Sequence, residues 1–114
     1  MSAWTNITST EQLQNLLNRS SEQPLLLFKH STRCPISARA NQEVSKYLND
    51  QPNEQVTYGL ILVIEDRPVS LHAAELLQVK HESPQAILVK NGKAVWNTSH
   101  SGITANVLKE ILQK

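Results

Sequence analysis

Among the 114 residues one side chain stands out as a nucleophile: Cys34, the only cysteine. It lies in the run Ser31-Thr32-Arg33-Cys34-Pro35-Ile36-Ser37, between two segments of different character. Residues 24–28, Pro-Leu-Leu-Leu-Phe, form a short apolar run that reads as a buried strand. After the cysteine, Ile36, Ala40, Val44, Tyr47 and Leu48 recur at helical spacing. Cys34 therefore sits at a strand-to-helix turn, with Pro35 at the first helical position, where a missing N–H costs nothing. The first N–H groups of a helix lack partners and, with the helix dipole, favour an adjacent negative charge. A thiolate is such a charge, and Arg33 and Lys29 could reinforce the effect. Cysteines so placed can have pKa values lowered to roughly 3.5–7.5, which predicts a reactive thiolate at Cys34. The competing reading is a small buried hydrophobe. Titration of thiolate absorbance separates the two.

Other chemistry is less well supported. His30, His72, His81 and His100 show no tight ligand spacing with one another or with Cys34, so no metal site is expected. A Cys–His hydrolase would need an aligned base and an oxyanion hole, which nothing in the sequence indicates. A formal net charge of +1, without a basic run, gives no reason to invoke nucleic acid or an anionic membrane surface. A lone cysteine cannot form an internal disulfide, so the cytosol is the simplest compartment. The stretch Met1-Ser2-Ala3-Trp4-Thr5-Asn6 lacks a basic segment followed by an apolar one, so no signal peptide is expected. The apolar run 60–64 is too short to span a bilayer.

The elements that must position the cysteine follow from periodicity. Residues 4–8 could form a short edge strand. Ser9 or Thr10 caps a helix carrying Leu13, Leu16 and Leu17, which ends in 18–21. The strand ending at Phe28 leads to the cysteine turn, and the helix after Pro35 runs to about residue 49. Residues 56–64 are β-branched and apolar, as in a central parallel strand. A helix from Asp66-Arg67-Pro68 carries Leu71, Ala74 and Leu77. Residues 85–89 and 94–96 flank Asn91-Gly92, a two-residue hairpin signal. Ile103, Val107, Leu108, Ile111 and Leu112 mark a final amphipathic helix.

This order predicts one α/β domain over 1–114, with a central mixed sheet, helices on both faces, and a C-terminal hairpin plus helix. It is the element order of a thioredoxin-like domain, and the cysteine falls where that fold carries its reactive thiol. The run 28–37, Phe-Lys-His-Ser-Thr-Arg-Cys-Pro-Ile-Ser, resembles the active-site segment of the monothiol bacilliredoxins, marked by T-C-P-I-S. Glu65-Asp66-Arg67-Pro68-Val69-Ser70, His81-Glu82-Ser83-Pro84-Gln85-Ala86 and Thr98-Ser99-His100-Ser101 are similar too. Arg33, where that motif usually has Thr, is a departure that should favour the thiolate.

The resemblance implies a thiol–disulfide oxidoreductase that removes bacillithiol from protein mixed disulfides. Its partners would be bacillithiolated client proteins, with bacillithiol as co-substrate, no resident cofactor, and a cytoplasmic monomer as the form. Cys34 is the expected nucleophile. Ser37 occupies the position of the resolving cysteine of dithiol relatives and cannot resolve, so free bacillithiol must. Pro84 is expected in the cis form, facing Cys34, with the Ser83 backbone available to substrate. Pro35, Ser37, Ser83, Pro84 and His81 complete the expected substrate site. Lys29, Arg33 and Lys80 are candidates to hold the two carboxylates of the bacillithiol malate. His81 ranks ahead of His30 and His100 for any role. Two alternatives stand beside this reading. One is a glutathione-dependent monothiol glutaredoxin, which would carry C-G-F-S and a Gly-Gly pair, whereas Gly59, Gly92 and Gly102 are isolated here. The other is a non-catalytic redox-sensing or interaction module.

Overall fold

The computed structural model describes residues 4–113. Met1–Ala3, part of the stretch read for a targeting signal, lie outside the described residues. The elements run β1 (Thr5–Asn6), α1 (Thr10–Arg19), β2 (Leu25–His30), α2 (Pro35–Leu48), β3 (Thr57–Leu62), α3 (Arg67–Leu77), β4 (Gln85–Lys90), β5 (Lys93–Ser99) and α4 (Ala105–Ile111). They build one mixed sheet in the order β1-β3-β2-β4-β5. β3 pairs in parallel with β1 and β2, whereas β2 pairs antiparallel with β4, and β4 with β5. Among the described residues no helix is long and apolar enough to cross a membrane.

β2 is the central strand, and all six of its residues are buried. Side chains alternate across a sheet, and here the alternation separates two cores. Leu26 and Phe28 face the layer of α2 and α4, with Val44, Tyr47 and Leu108. Leu25 and Leu27 face that of α1 and α3, with Leu13, Val69 and Leu77. Each fully buried Leu or Phe contributes roughly 1.5–3 kcal/mol. β2 is thus pinned from both faces, and the Cys34 turn projects from a fixed platform.

Local signals explain the boundaries. The Ser9 side chain caps α1 by accepting from the Gln12 N–H at 3.1 Å. Asn91 and Gly92 have φ of 55° and 73°, the paired positive values of the tight turn that matches strand twist. That turn is fastened to the end of α1, because the Gly92 N–H donates to Ser20 Oγ at 2.7 Å. The last helix differs from expectation. Ile103 is buried in the α2/α4 core but precedes α4, because the Thr104 side chain caps the helix by accepting from the Val107 N–H. A short 3-10 turn, His100–Gly102, fills the gap between β5 and that cap. A side chain at Gly102 would collide with Thr98 Oγ1, which explains the glycine.

Candidate functional site

Cys34 is the N-cap of α2, in extended conformation, with Pro35 following at the first helical position. The chain reverses just before it: the Cys34 N–H approaches Ser31 O at 3.5 Å, and the Arg33 N–H donates to Ser31 Oγ at 3.3 Å. The Cys34 carbonyl accepts the Ala38 N–H at 2.9 Å, the first bond of the helix. Its side chain makes no capping bond, so the sulfur is not tied to its own helix. Cys34 is half-buried and flanked by exposed Thr32, Arg33, Pro35 and Ile36. As a residue it is thus more open than the fully buried members of the core.

One turn into α2, Ser37 is fully buried. Its Oγ accepts the Ser31 N–H at 2.9 Å and lies 2.6 Å from His30 Nδ1. The hydroxyl keeps a second lone pair and its proton, so whether it donates to or accepts from Nδ1 follows the tautomer of the His30 ring. Burial holds the His30 pKa below the usual imidazole value, against opposing effects of the Glu65 charge and the Ser37 contact. The ring also stacks on Phe28, centroids 5.7 Å apart. Ser37 was expected among the substrate contacts. The structure corrects this: its hydroxyl is consumed in locking the turn to the helix, and no part of it is exposed.

Lys29 needs the larger correction. Being odd-numbered in β2, it follows Leu25 and Leu27 to the α1/α3 face, away from α2. It is fully buried, its Nζ donating to Ser70 O at 3.0 Å and contacting His81 Nδ1 at 3.2 Å. A buried ammonium cannot hold the carboxylates of a substrate in solvent. Burial pushes its pKa down to about 8. His81, expected at the substrate, is half-buried and has Nδ1 against Lys29 Nζ and, at 3.4 Å, Ser70 Oγ. Burial first, then the charges of Lys29 and Arg67, lower its pKa, Glu82 opposing. Gln85, cross-strand partner of Lys29, donates from Nε2 to Lys80 O at 2.9 Å. Two polar ties thus fix the 78–84 loop to the strand edge.

That loop carries Ser83–Pro84, whose peptide bond is cis, as expected. Because Lys29 pairs with Gln85 in the antiparallel register, Pro84 lies beside the His30 end of β2, at the sheet edge from which the Cys34 turn departs. Pro84 is buried and Ser83 half-buried. The Pro84 carbonyl accepts the His100 N–H at 3.0 Å, drawing the His100 turn to the same edge. Arg33 and Lys80 are exposed, and neither takes part in an ion pair among the described residues. Two residues of this region were not singled out from the sequence. Ser70 contributes a main-chain oxygen, for which side-chain identity is no guide. Arg39, one turn beyond Pro35 and on the same helical face, could have been found by spacing. Among the described residues no group of three His, Cys, Asp or Glu side chains gathers as a metal ion would require.

The family model described as monothiol bacilliredoxin BrxC matches residues 5–108. Among solved structures, the chain is similar to a protein described, provisionally, as an oxidoreductase with a thioredoxin fold. That similarity has 31% identity and a TM-score of 0.81, over 94% of this chain and 91% of that one. It is similar in fold to a Fasciola hepatica thioredoxin, with 16% identity and a TM-score of 0.72 over 98% of this chain and 96% of that one. Thioredoxin O2 of Arabidopsis thaliana is similar at 16% identity, with a TM-score of 0.74 over 98% and 93% of the two chains.

Proposed function

The chain belongs to the monothiol bacilliredoxin family, and from that premise we propose that it removes bacillithiol from proteins carrying it as a mixed disulfide. The fold and the single cysteine support a monothiol redox function. The observation that carries the finer reading is the pairing of a lone, partly exposed cysteine at a helix start with a buried, twice-bonded hydroxyl one turn later.

In the first step, the Cys34 thiolate attacks the bacillithiol sulfur of the mixed disulfide. The old S–S bond breaks, the client leaves as its thiolate, and bacillithiol remains on Cys34. Cys34 meets the substrate from the N-cap of α2, beside the first N–H groups of that helix. No second cysteine exists to resolve the adduct. A free bacillithiol thiolate must attack it, forming bacillithiol disulfide and expelling Cys34 as thiolate. Electrons balance: one disulfide is consumed and one is formed. Pro35 fixes the helix start. Ser83, at the neighbouring sheet edge, offers main-chain N–H and C=O groups for strand-like pairing with a substrate backbone. Exposed Arg33 and Lys80 remain candidates to meet the malate carboxylates. None of this chemistry needs an oxidising compartment, so a reducing cytoplasm suits it.

The test is an assay on a bacillithiolated protein with free bacillithiol supplied. Wild type should release the client thiol, and mass spectrometry without added thiol should trap the Cys34 adduct. Cys34→Ser should do neither. Client release by that variant at the wild-type rate would overturn the proposal, as would turnover of glutathione mixed disulfides in preference to bacillithiol ones.

A further inference from the structure

Beside Cys34 runs a groove of about 750 Å³ between the first turns of α2 and the His100 turn. Pro35, the residue after the nucleophile, lines one end, followed by Ile36, Arg39 and Glu43 along one face of the helix. His100 and Ser101 form the facing wall. The volume lies in the range of small-molecule pockets, roughly 300–1,000 Å³.

The polar groups of this groove are not equivalent. Glu43 is committed: Oε1 accepts the Ala105 N–H at 2.9 Å and Oε2 the Lys46 ammonium at 3.2 Å. His100 is engaged through Nε2 with Glu82 at 3.4 Å and is held with φ of 52° while its N–H bonds Pro84 O. A left-handed backbone at a non-glycine residue persists where its surroundings over-determine it, often at ligand clamps. Arg39 is exposed on the groove face of α2 and makes no ion pair among the described residues, although its charge acts on that of Glu43 one turn further on. Ile36, 53% exposed, adds an apolar surface to the same lining.

We propose that this groove seats bacillithiol during attack by Cys34, with Arg39 clamping a malate carboxylate. The inference rests on the bacillithiol reading and adds to it the residue that recognises the small-molecule half of the mixed disulfide. A guanidinium presents a planar fork of donors that a carboxylate accepts two at a time, which an ammonium does not reproduce. Recognition then falls on the modification rather than on the client.

The experiment measures the rate constant of client release by Cys34 from one reporter protein carrying four caps on the same cysteine: bacillithiol, glutathione, 2-mercaptoethanol and cysteamine. Wild type should prefer the bacillithiol cap over the neutral one. Arg39→Gln should lower the bacillithiol rate by about 10-fold, as expected for loss of one charge-assisted contact, while the 2-mercaptoethanol rate stays within about twofold. Arg39→Lys should recover part of the loss, and Lys93→Gln, an equal loss of charge on the distant hairpin, should change neither. If wild type shows no preference, the bacillithiol reading itself fails. If wild type discriminates and Arg39→Gln discriminates equally well, the function stands and the groove assignment is overturned. Equal slowing with every cap also overturns it, because Arg39 would then act on the sulfur and not on the ligand.

Discussion

Substituting Ser37 by cysteine would test the link between the buried hydroxyl and the monothiol chemistry. Ser37 Oγ serves two buried groups, the Ser31 N–H and His30 Nδ1. Leaving a buried donor or acceptor unpaired costs about 1–3 kcal/mol, so Ser37→Ala should lose roughly 2–4 kcal/mol. A thiol keeps weak donor and acceptor capacity but brings a larger atom into a site with no free surface. Ser37→Cys should therefore lose about 1–3 kcal/mol and still fold, since stabilities of 5–15 kcal/mol are usual. Urea unfolding should order the three proteins as wild type, Ser37→Cys, Ser37→Ala. The same variant changes the chemistry. Once bacillithiol sits on Cys34, the introduced thiolate can attack Cys34 Sγ from within the chain, releasing bacillithiol and closing an internal disulfide. Intramolecular reactions of well-oriented groups reach effective molarities of about 10⁵ M or more, so free bacillithiol should cease to limit the first turnover. In a single-turnover assay without added thiol, wild type should accumulate the adduct, and Ser37→Cys should release one equivalent of bacillithiol. An adduct on Ser37→Cys as persistent as that of wild type would refute the reasoning. So would a Ser37→Ala protein as stable as wild type.

Lys29→Met should remove a pH dependence. The folded pKa of Lys29, about 8, lies below the ordinary 10.5, so between these values unfolding takes up a proton and stability rises with pH. Wild type should gain about 2.5 kcal/mol from this residue between pH 7 and 10. Relative to Lys29→Met, that gain should appear in denaturant unfolding across pH, and a constant difference would show that Lys29 stays charged. Tyr58 works in the opposite sense. Its pKa is raised by burial and by Tyr47 above the ordinary 10.0, so its contribution is complete below pH 10 and lost above it. Tyr58→Phe should flatten the fall above pH 10. It should also cost about 1–3 kcal/mol at neutral pH, because Tyr58 Oη bonds Asn53 O at 2.7 Å and Tyr47 Oη at 2.9 Å. Neutralising Arg33 should slow turnover with bacillithiol more than with a small uncharged thiol; equal slowing would leave only an effect on the Cys34 thiolate.

The alternation of apolar runs with helical stripes was enough to place the elements, the turn at Asn91-Gly92 and the cysteine at the start of a helix. Those features depend on neighbours a few residues apart, and their physics is local: side-chain periodicity, a proline at the first helical position, a glycine at positive φ. The direction in which Lys29 points was not local. Its type reads as surface charge, yet strand register put it on the α3 face and gave it the Ser70 carbonyl and His81, 41 and 52 residues away along the chain. Ser37 likewise read as a substrate contact until the helix was docked on the sheet, where His30 and the Ser31 N–H claimed its oxygen. Helical spacing already puts Arg39 on the face of Pro35, but the groove beside it exists only where the His100 turn, bound to Pro84, meets α2. Sequence determines where a reactive sulfur stands along its own helix. Which charged side chains reach that sulfur depends on the face each strand presents and on what packs against it, and only the assembled sheet decides that.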